Sequence, residues 1–182
     1  QYADESDDPH VWMDFKNVRQ IARAMAYALI QKDPDHRAVY QENLKAFETE
    51  ITELDEAYQT GLASCQSRQV VHVGHLAFGN LTKNYDLSLS ALAGSSHDGE
   101  NSVRRVTELI QFIKENQIPA IFTEETLSPR LSAVVSEETG VPVLPLYTVE
   151  HVSKADFDRG VTYGELMRRN LESLQRGLRC QP

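Results

Sequence analysis

The sequence predicts an α/β protein: a lobe built on a four-stranded parallel sheet with helices on both faces, preceded by a long linking helix. Two observations carry this. Over residues 33–64, Tyr40, Leu44, Phe47, Ile51, Leu54 and Tyr58 fall alternately four and three apart, which draws one apolar stripe along a single helix. From about residue 66 onward, short β-branched runs alternate with helical patterns, the arrangement of a parallel sheet whose crossovers are helices.

The elements follow in order. Residues 1–9 (QYADESDDP) are acidic and lack an apolar period, so loop or disorder is expected. Asp14 can cap a helix over 15–31, where Val18, Ile21, Ala22, Met25 and Leu29 keep the helical period. Lys32-Asp33-Pro34 ends it and opens the long helix, with Asp33 as N-cap acceptor and Pro34 at the first helical position. No glycine or proline interrupts that helix before Gly61, and at 1.5 Å per residue it would run roughly 45 Å. A helix of that length reads as a beam along which other structure is laid. A coiled-coil seam is the weaker reading, because the heptads are too few.

Residues 69–73 (QVVHV) read as a strand buried on both faces. Gly74-His75 and a helical turn over 76–81 follow, then a second strand over 87–92. A polar loop spans 94–100, and Asn101 or Ser102 caps a helix over 103–116. The third strand is 120–123. Ser128-Pro129 opens a helix that Gly140 stops. The fourth strand, 141–147, carries Pro142 and Pro145 and so belongs at an edge. A loop over 148–160 leads to a last helix over 162–178. The chain thus divides into 1–32, the long helix 33–64 and the lobe 65–182.

Eighteen Lys and Arg against 27 Asp and Glu leave a net charge of −9, which argues against a nucleic-acid partner. No apolar run approaches the roughly 18 residues a membrane span needs. The chain starts at Gln1 with no visible signal peptide, so a processed protein, a fragment or a trimmed chain is expected. Cys65 and Cys180 sit just past the ends of the long helix and the last helix. A disulfide between them would close a loop of roughly 100 residues and stabilise by several kcal/mol; two free thiols are the other reading.

In open parallel sheets, ligands bind outside the carboxyl ends of the strands. That rule selects His75 after the first strand; His97, Asp98 and Glu100 after the second; Glu124 and Glu125 after the third; Glu150 and His151 after the fourth. Imidazole and carboxylate at every strand end suit a divalent cation. His72, inside the first strand, reads as a core histidine with a local hydrogen bond, and His36 as a solvated residue. The chain has no GxSxG, P-loop, GxGxxG or HExxH, so an enzyme is not expected. A metal-dependent α/β hydrolase stays as an alternative, because such donors with an open position can activate water.

Four stretches resemble the solute-binding proteins of zinc/manganese ABC transporters. Asp8-Pro9-His10-Val11-Trp12 resembles that family's D-P-H-x-W, and His75-Leu76-Ala77-Phe78-Gly79 its H-x-A-F-G. Ile121-Phe122-Thr123-Glu124-Glu125 resembles its strand ending in an acidic pair, and Gly160-Val161-Thr162-Tyr163 through Leu171 its closing helix. The resemblance implies two α/β lobes joined by a long helix, with metal held between them. It implies His10 and His75 as ligands, with Glu150 as the last one and His151 as the alternative. Glu100 and Glu124 would be the acids that orient the histidines. Residues 1–32 would be only the tail of a first lobe, so the site would be incomplete and an exposed apolar face would invite dimerisation or domain swapping.

The expected function is therefore capture of a divalent metal, zinc before manganese, outside the cytoplasmic membrane and delivery to an ABC permease. The protein would be periplasmic or extracellular, either free or membrane-anchored. An adhesin or scaffold that uses the long helix as its contact surface is a further alternative.

Overall fold

The computed structural model describes residues 8–92, 103–124 and 129–181. Its elements are α1 (Phe15–Lys32), α2 (Arg37–Gly61), β1 (Gln69–His72), α3 (Gly79–Asn84), β2 (Ser88–Ala91), α4 (Val103–Glu115), β3 (Ile121–Thr123), α5 (Pro129–Thr139), β4 (Val143–Pro145), α6 (Lys154–Asp158) and α7 (Tyr163–Gly177), with 3-10 turns at Val11–Met13 and Pro34–His36. The strands form one parallel sheet in the order β2-β1-β3-β4. The chain steps outward from β1 to β2, then crosses back to β3. The point where the direction reverses, between β1 and β3, is where such a sheet opens a crevice at its carboxyl edge.

Both faces of the sheet are covered, as alternating side chains require. Val70, Phe122 and Leu144 join Tyr58 of α2, Leu81 of α3 and Leu174 of α7 in one core. Val71, Val73 and Ile121 join Leu109 and Ile113 of α4 and Val135 of α5 in the other. The proline-bearing β4 lies at an edge. Gly140 ends α5 at φ +74°, a conformation that side chains other than glycine resist.

The long helix is shorter than its sequence pattern suggests. The 25 residues of α2 span roughly 38 Å at 1.5 Å each. The Pro34–His36 stretch takes a 3-10 turn first, and the Asp33 carboxylate accepts from Tyr40 Oη (2.7 Å) and the His36 ring (2.9 Å) rather than from a helix N–H. α2 lies antiparallel to α1, with Arg19 bonded to Asp55 (3.4 Å) and Arg23 bonded to Glu48. Its C-terminal half enters the lobe core: Ile51, Leu54 and Tyr58 are buried, and Tyr58 Oη donates to Met167 O at 2.7 Å.

Three local expectations need correction. First, α1 buries Phe15, Val18, Ala26 and Ile30, while Ile21, Met25 and Leu29 stay exposed. Both stripes have helical spacing; the core contacts of Met13 and Phe15 set the rotation of the helix and so choose between them. Second, the turn over 76–81 becomes helical only at Gly79, because Ala77 N–H first closes a tight turn onto His75 O. Third, the loop over 148–160 contains α6, capped by the Ser153 hydroxyl accepting from Asp156 N–H. Among the described residues no helix is long and apolar enough to cross a membrane.

Cys65 and Cys180 are joined in a disulfide, 115 residues apart, which ties the end of α2 to the end of α7. Closing a loop of that length removes unfolded-chain entropy worth about 5 kcal/mol. Reduction should therefore lower the urea midpoint markedly; an unchanged midpoint would show that the bridge constrains nothing the core does not already hold.

Candidate metal centre

His10 precedes the turn that leads into α1, outside the sheet. Three hydrogen bonds hold that segment against the lobe. Asn80 Nδ2 donates to His10 O (3.1 Å), Trp12 Nε1 donates to Thr148 O (2.9 Å), and Tyr163 Oη donates to Trp12 O (2.9 Å). His75 follows β1 and Glu150 follows β4, so the carboxyl edge of the sheet supplies both. Immediately before Glu150, Val149 has φ +61°, unusual for a β-branched residue, and its side chain packs on the core.

These three side chains converge. The Nε2 atoms of His10 and His75 stand 3.2 Å apart. Glu150 Oε1 is 3.1 Å from His10 Nε2, and Glu150 Oε2 is 3.6 Å from His75 Nε2. Both imidazoles are buried at 2% exposure, so only the carboxylate reaches toward solvent.

The outer nitrogens are already committed. His10 Nδ1 lies 2.6 Å from Asp8 Oδ1, which also accepts the His10 N–H at 3.0 Å. His75 Nδ1 lies 2.5 Å from Glu124 Oε1, which likewise accepts the His75 N–H at 3.0 Å. An ionised carboxylate only accepts, so each imidazole carries its proton on Nδ1 and turns the Nε2 lone pair inward when neutral. Two lone pairs and a carboxylate then face one another, an arrangement that a cation or a proton can satisfy.

The titration behaviour agrees. Burial pushes His75 down, but the hydrogen bond to Glu124 and the charges of Glu124 and Glu150 outweigh it and hold His75 above its ordinary value. Burial pushes Glu124 up, but the hydrogen bonds from the His75 ring and backbone leave it below its ordinary value. His72 is fully buried, and burial lowers it to about 4, against a weaker opposing pull from Glu124.

Of the residues selected from sequence, His10, His75 and Glu150 form one group of donor atoms within 4.8 Å of one another. Glu124 stands behind His75. His151 is exposed and outside the group. Glu100, with His97, Asp98 and Glu125, lies outside the described residues. His72 is a core histidine whose Nδ1 bonds His75 O at 3.0 Å, and His36 is exposed. Sequence reasoning missed Asp8, which does for His10 what Glu124 does for His75. Its signal lay inside the D-P-H motif, two residues ahead of the histidine.

Fold and site together define an α/β lobe whose carboxyl edge gathers two imidazoles and a carboxylate, a donor set of the kind that can hold a divalent cation. The chain belongs to the family described as zinc-uptake complex component A, periplasmic, which matches residues 1–177. It is 30% identical over 171 residues to the high-affinity zinc uptake system protein ZnuA of Bacillus subtilis, covering 94% of this chain and 53% of that protein. It is 32% identical over 168 residues to the zinc-binding lipoprotein AdcA of Streptococcus pneumoniae, covering 92% of this chain and 33% of the relative. Among solved structures, the laminin-binding protein Lmb of Streptococcus agalactiae superposes with a TM-score of 0.85 at 30% identity, over 98% of this chain and 68% of that one. The Zn(II)-bound ZnuA-like domain of Streptococcus pneumoniae AdcA gives 0.80 at 31% identity, over 94% and 64%. The chain thus spans about half the length of the first of these relatives and a third of the second. Substrate-binding transport proteins of this kind are generally not enzymes.

An NMR titration of the metal-free protein should find His75 above about 6.5, the ordinary value for histidine. Glu124→Gln removes the main upward pull and leaves burial, so the His75 value should fall. The sign follows from linkage: a raised folded value stabilises the metal-free fold fully below about pH 6.5, and this is lost as pH rises through the folded value. A His75 value unmoved by Glu124→Gln would remove the carboxylate from its assigned role.

Proposed function

We propose that this chain is the metal-capturing part of the substrate-binding component of a metal ABC transporter. It takes a divalent cation, zinc before manganese, outside the cytoplasmic membrane for delivery to a permease. The observation that carries the reading is the convergence of His10 Nε2, His75 Nε2 and the Glu150 carboxylate with both Nδ1 atoms occupied. Zinc binds imidazole at about 2.0–2.1 Å in tetrahedral sites, which sets two such nitrogens roughly 3.3 Å apart. The observed 3.2 Å is close to that spacing. Two imidazoles and one carboxylate favour zinc, whereas manganese prefers more oxygen.

The relatives described as zinc-binding support the choice of metal, and the manganese ABC transporter lipoprotein scaA of Streptococcus gordonii supports manganese as the alternative. Relatives described as lipoproteins or periplasmic support a place outside the membrane, either free or anchored. In this reading Glu150 rather than His151 is the last ligand, Asp8 and Glu124 orient the histidines, and the chain itself is a receptor, not an enzyme. Residues 1–32 are the tail of a first lobe, 33–64 the link and 65–182 the metal-binding lobe. The dimer or domain swap finds no support in the comparisons.

A second reading has one observation behind it: Lmb is described as a bifunctional protein with adhesin and metal transporting activity. An adhesive role would show as a partner complex that a chelator leaves intact.

Calorimetric titration of the chelator-stripped protein should give zinc binding near one to one. His75→Ala and Glu150→Ala should each lose at least about tenfold in affinity, while His151→Ala binds as the parent does. Normal binding by Glu150→Ala, or no binding by the parent, would count against the assignment. Affinity should also weaken from pH 7.5 to 5.5, because the ligating imidazoles must be neutral and protons compete for the same lone pairs. A pH-independent affinity would exclude the imidazoles as ligands.

A further inference from the structure

We propose that His72 is a positioning residue for the metal site: its buried ring anchors the backbone of His75 and so fixes where the His75 imidazole stands. This rests on the metal-binding reading above. His72 is fully buried on β1, on the sheet face that carries Val70, and its ring meets Phe78 edge-on at 4.9 Å between centroids. Its Nδ1 lies 3.0 Å from His75 O. A carbonyl only accepts, so Nδ1 carries the hydrogen and Nε2 is a bare lone pair.

That Nε2 is buried and has no hydrogen-bond partner among the described residues. A buried acceptor without a donor costs about 1–3 kcal/mol, and an apolar side chain of similar shape would avoid the penalty. Val70 and Val71 show what this strand otherwise places in its buried positions. A histidine at this position is therefore poorly explained by stability. Its one polar contact explains it better.

His75 is gripped on both sides. Its N–H and Nδ1–H both reach Glu124 Oε1, and its carbonyl accepts from His72 Nδ1 and from Ala77 N–H (2.9 Å). Gly74 lets these groups close in: a Cβ there would stand 2.4 Å from Glu124 Oε1 and 2.5 Å from His72 Cε1. Loss of the His72 donor leaves the Ala77 bond in place, so the turn survives. What is lost is the second restraint on the peptide plane that follows His75. Ligand-orienting partners of this sort typically matter about 10–100-fold in metal affinity.

The experiment compares His72→Leu with His72→Asn, whose amide N–H sits near the place of Nδ1–H. In the Leu variant the metal-free protein should unfold at a urea midpoint equal to or above the parent's, while zinc affinity drops about tenfold or more. In the Asn variant the affinity should stay within about threefold of the parent. Should His72→Leu fail to fold, His72→Gln replaces it, since its longer amide misses the Nδ1 position. Parent-like zinc binding without the donor, or an Asn variant as weak as the Leu variant, overturns the proposal. If the parent itself binds no zinc, the metal reading fails and the positioning is judged without metal. Long-range 1H–15N spectra should then show His75 ring signals shifted in His72→Leu and restored in His72→Asn, and unchanged signals in both would overturn it.

Discussion

The rest of the site depends on one constraint: each of the two imidazoles has its outer nitrogen bound to a carboxylate. Asp8 holds His10 and Glu124 holds His75, and in each case the same oxygen also takes the backbone N–H of that histidine. Ring orientation and tautomer are therefore fixed by groups that lie behind the rings. The inward lone pairs cannot turn away to find donors of their own. With Glu150 beside them, the three acceptors repel one another until something positive comes between them. A proton serves in acid, and His75 is held above its ordinary value chiefly by Glu124 behind the ring, with Glu150 adding a smaller pull. In the proposed reading a divalent cation serves better, because it could satisfy all three at once.

The architecture exists to keep those groups from relaxing. Parallel strands place His75, Glu124 and Glu150 at one edge, on either side of the point where the chain reverses its direction across the sheet. His10 comes from elsewhere, on a segment that precedes the α1–α2 hairpin. It reaches the site only because Trp12, Tyr163 and Asn80 tie its turn to the loop after β4, to α7 and to α3. The C-terminal half of α2 packs in the same core as α7, and the disulfide closes their far ends together. The long helix is thus a wall of the lobe, while His10 is held by the three bonds from the lobe itself.

Much of this was legible in the sequence, for identifiable reasons. The alternation of short β-branched runs with helical patterns gave a parallel sheet, and the strand-end rule then picked out His75, Glu124 and Glu150 without any family resemblance. His10 is different: no periodicity marks it, and only the D-P-H-x-W resemblance brought it in. Asp8 was passed over within that very motif, because its role depends on a turn that folds its carboxylate back onto its neighbour. The buried face of α1 was misread because Ile21, Met25 and Leu29 repeat as well as Phe15, Val18 and Ala26 do. Only tertiary anchoring through Met13 and Phe15 separates the two stripes. α6 was hidden by its brevity, although the Ser153–Asp156 pair carried a capping signal.

Departures from local preference gather around the same atoms. Val149, the one β-branched residue at positive φ among those described, sits directly before Glu150. The orphaned Nε2 of His72 lies one carbonyl away from His75. The three facing acceptors are themselves an unfavourable arrangement when empty. Each of these disfavours the metal-free protein locally, and the surrounding core supplies the stability that tolerates them. In the proposed reading, a cation entering the site would find ligands that need little reorganisation and would relieve a repulsion already present. On that proposal, affinity would come partly from contacts made and partly from strain released, the strain being held in place by a buried strand and a packed valine.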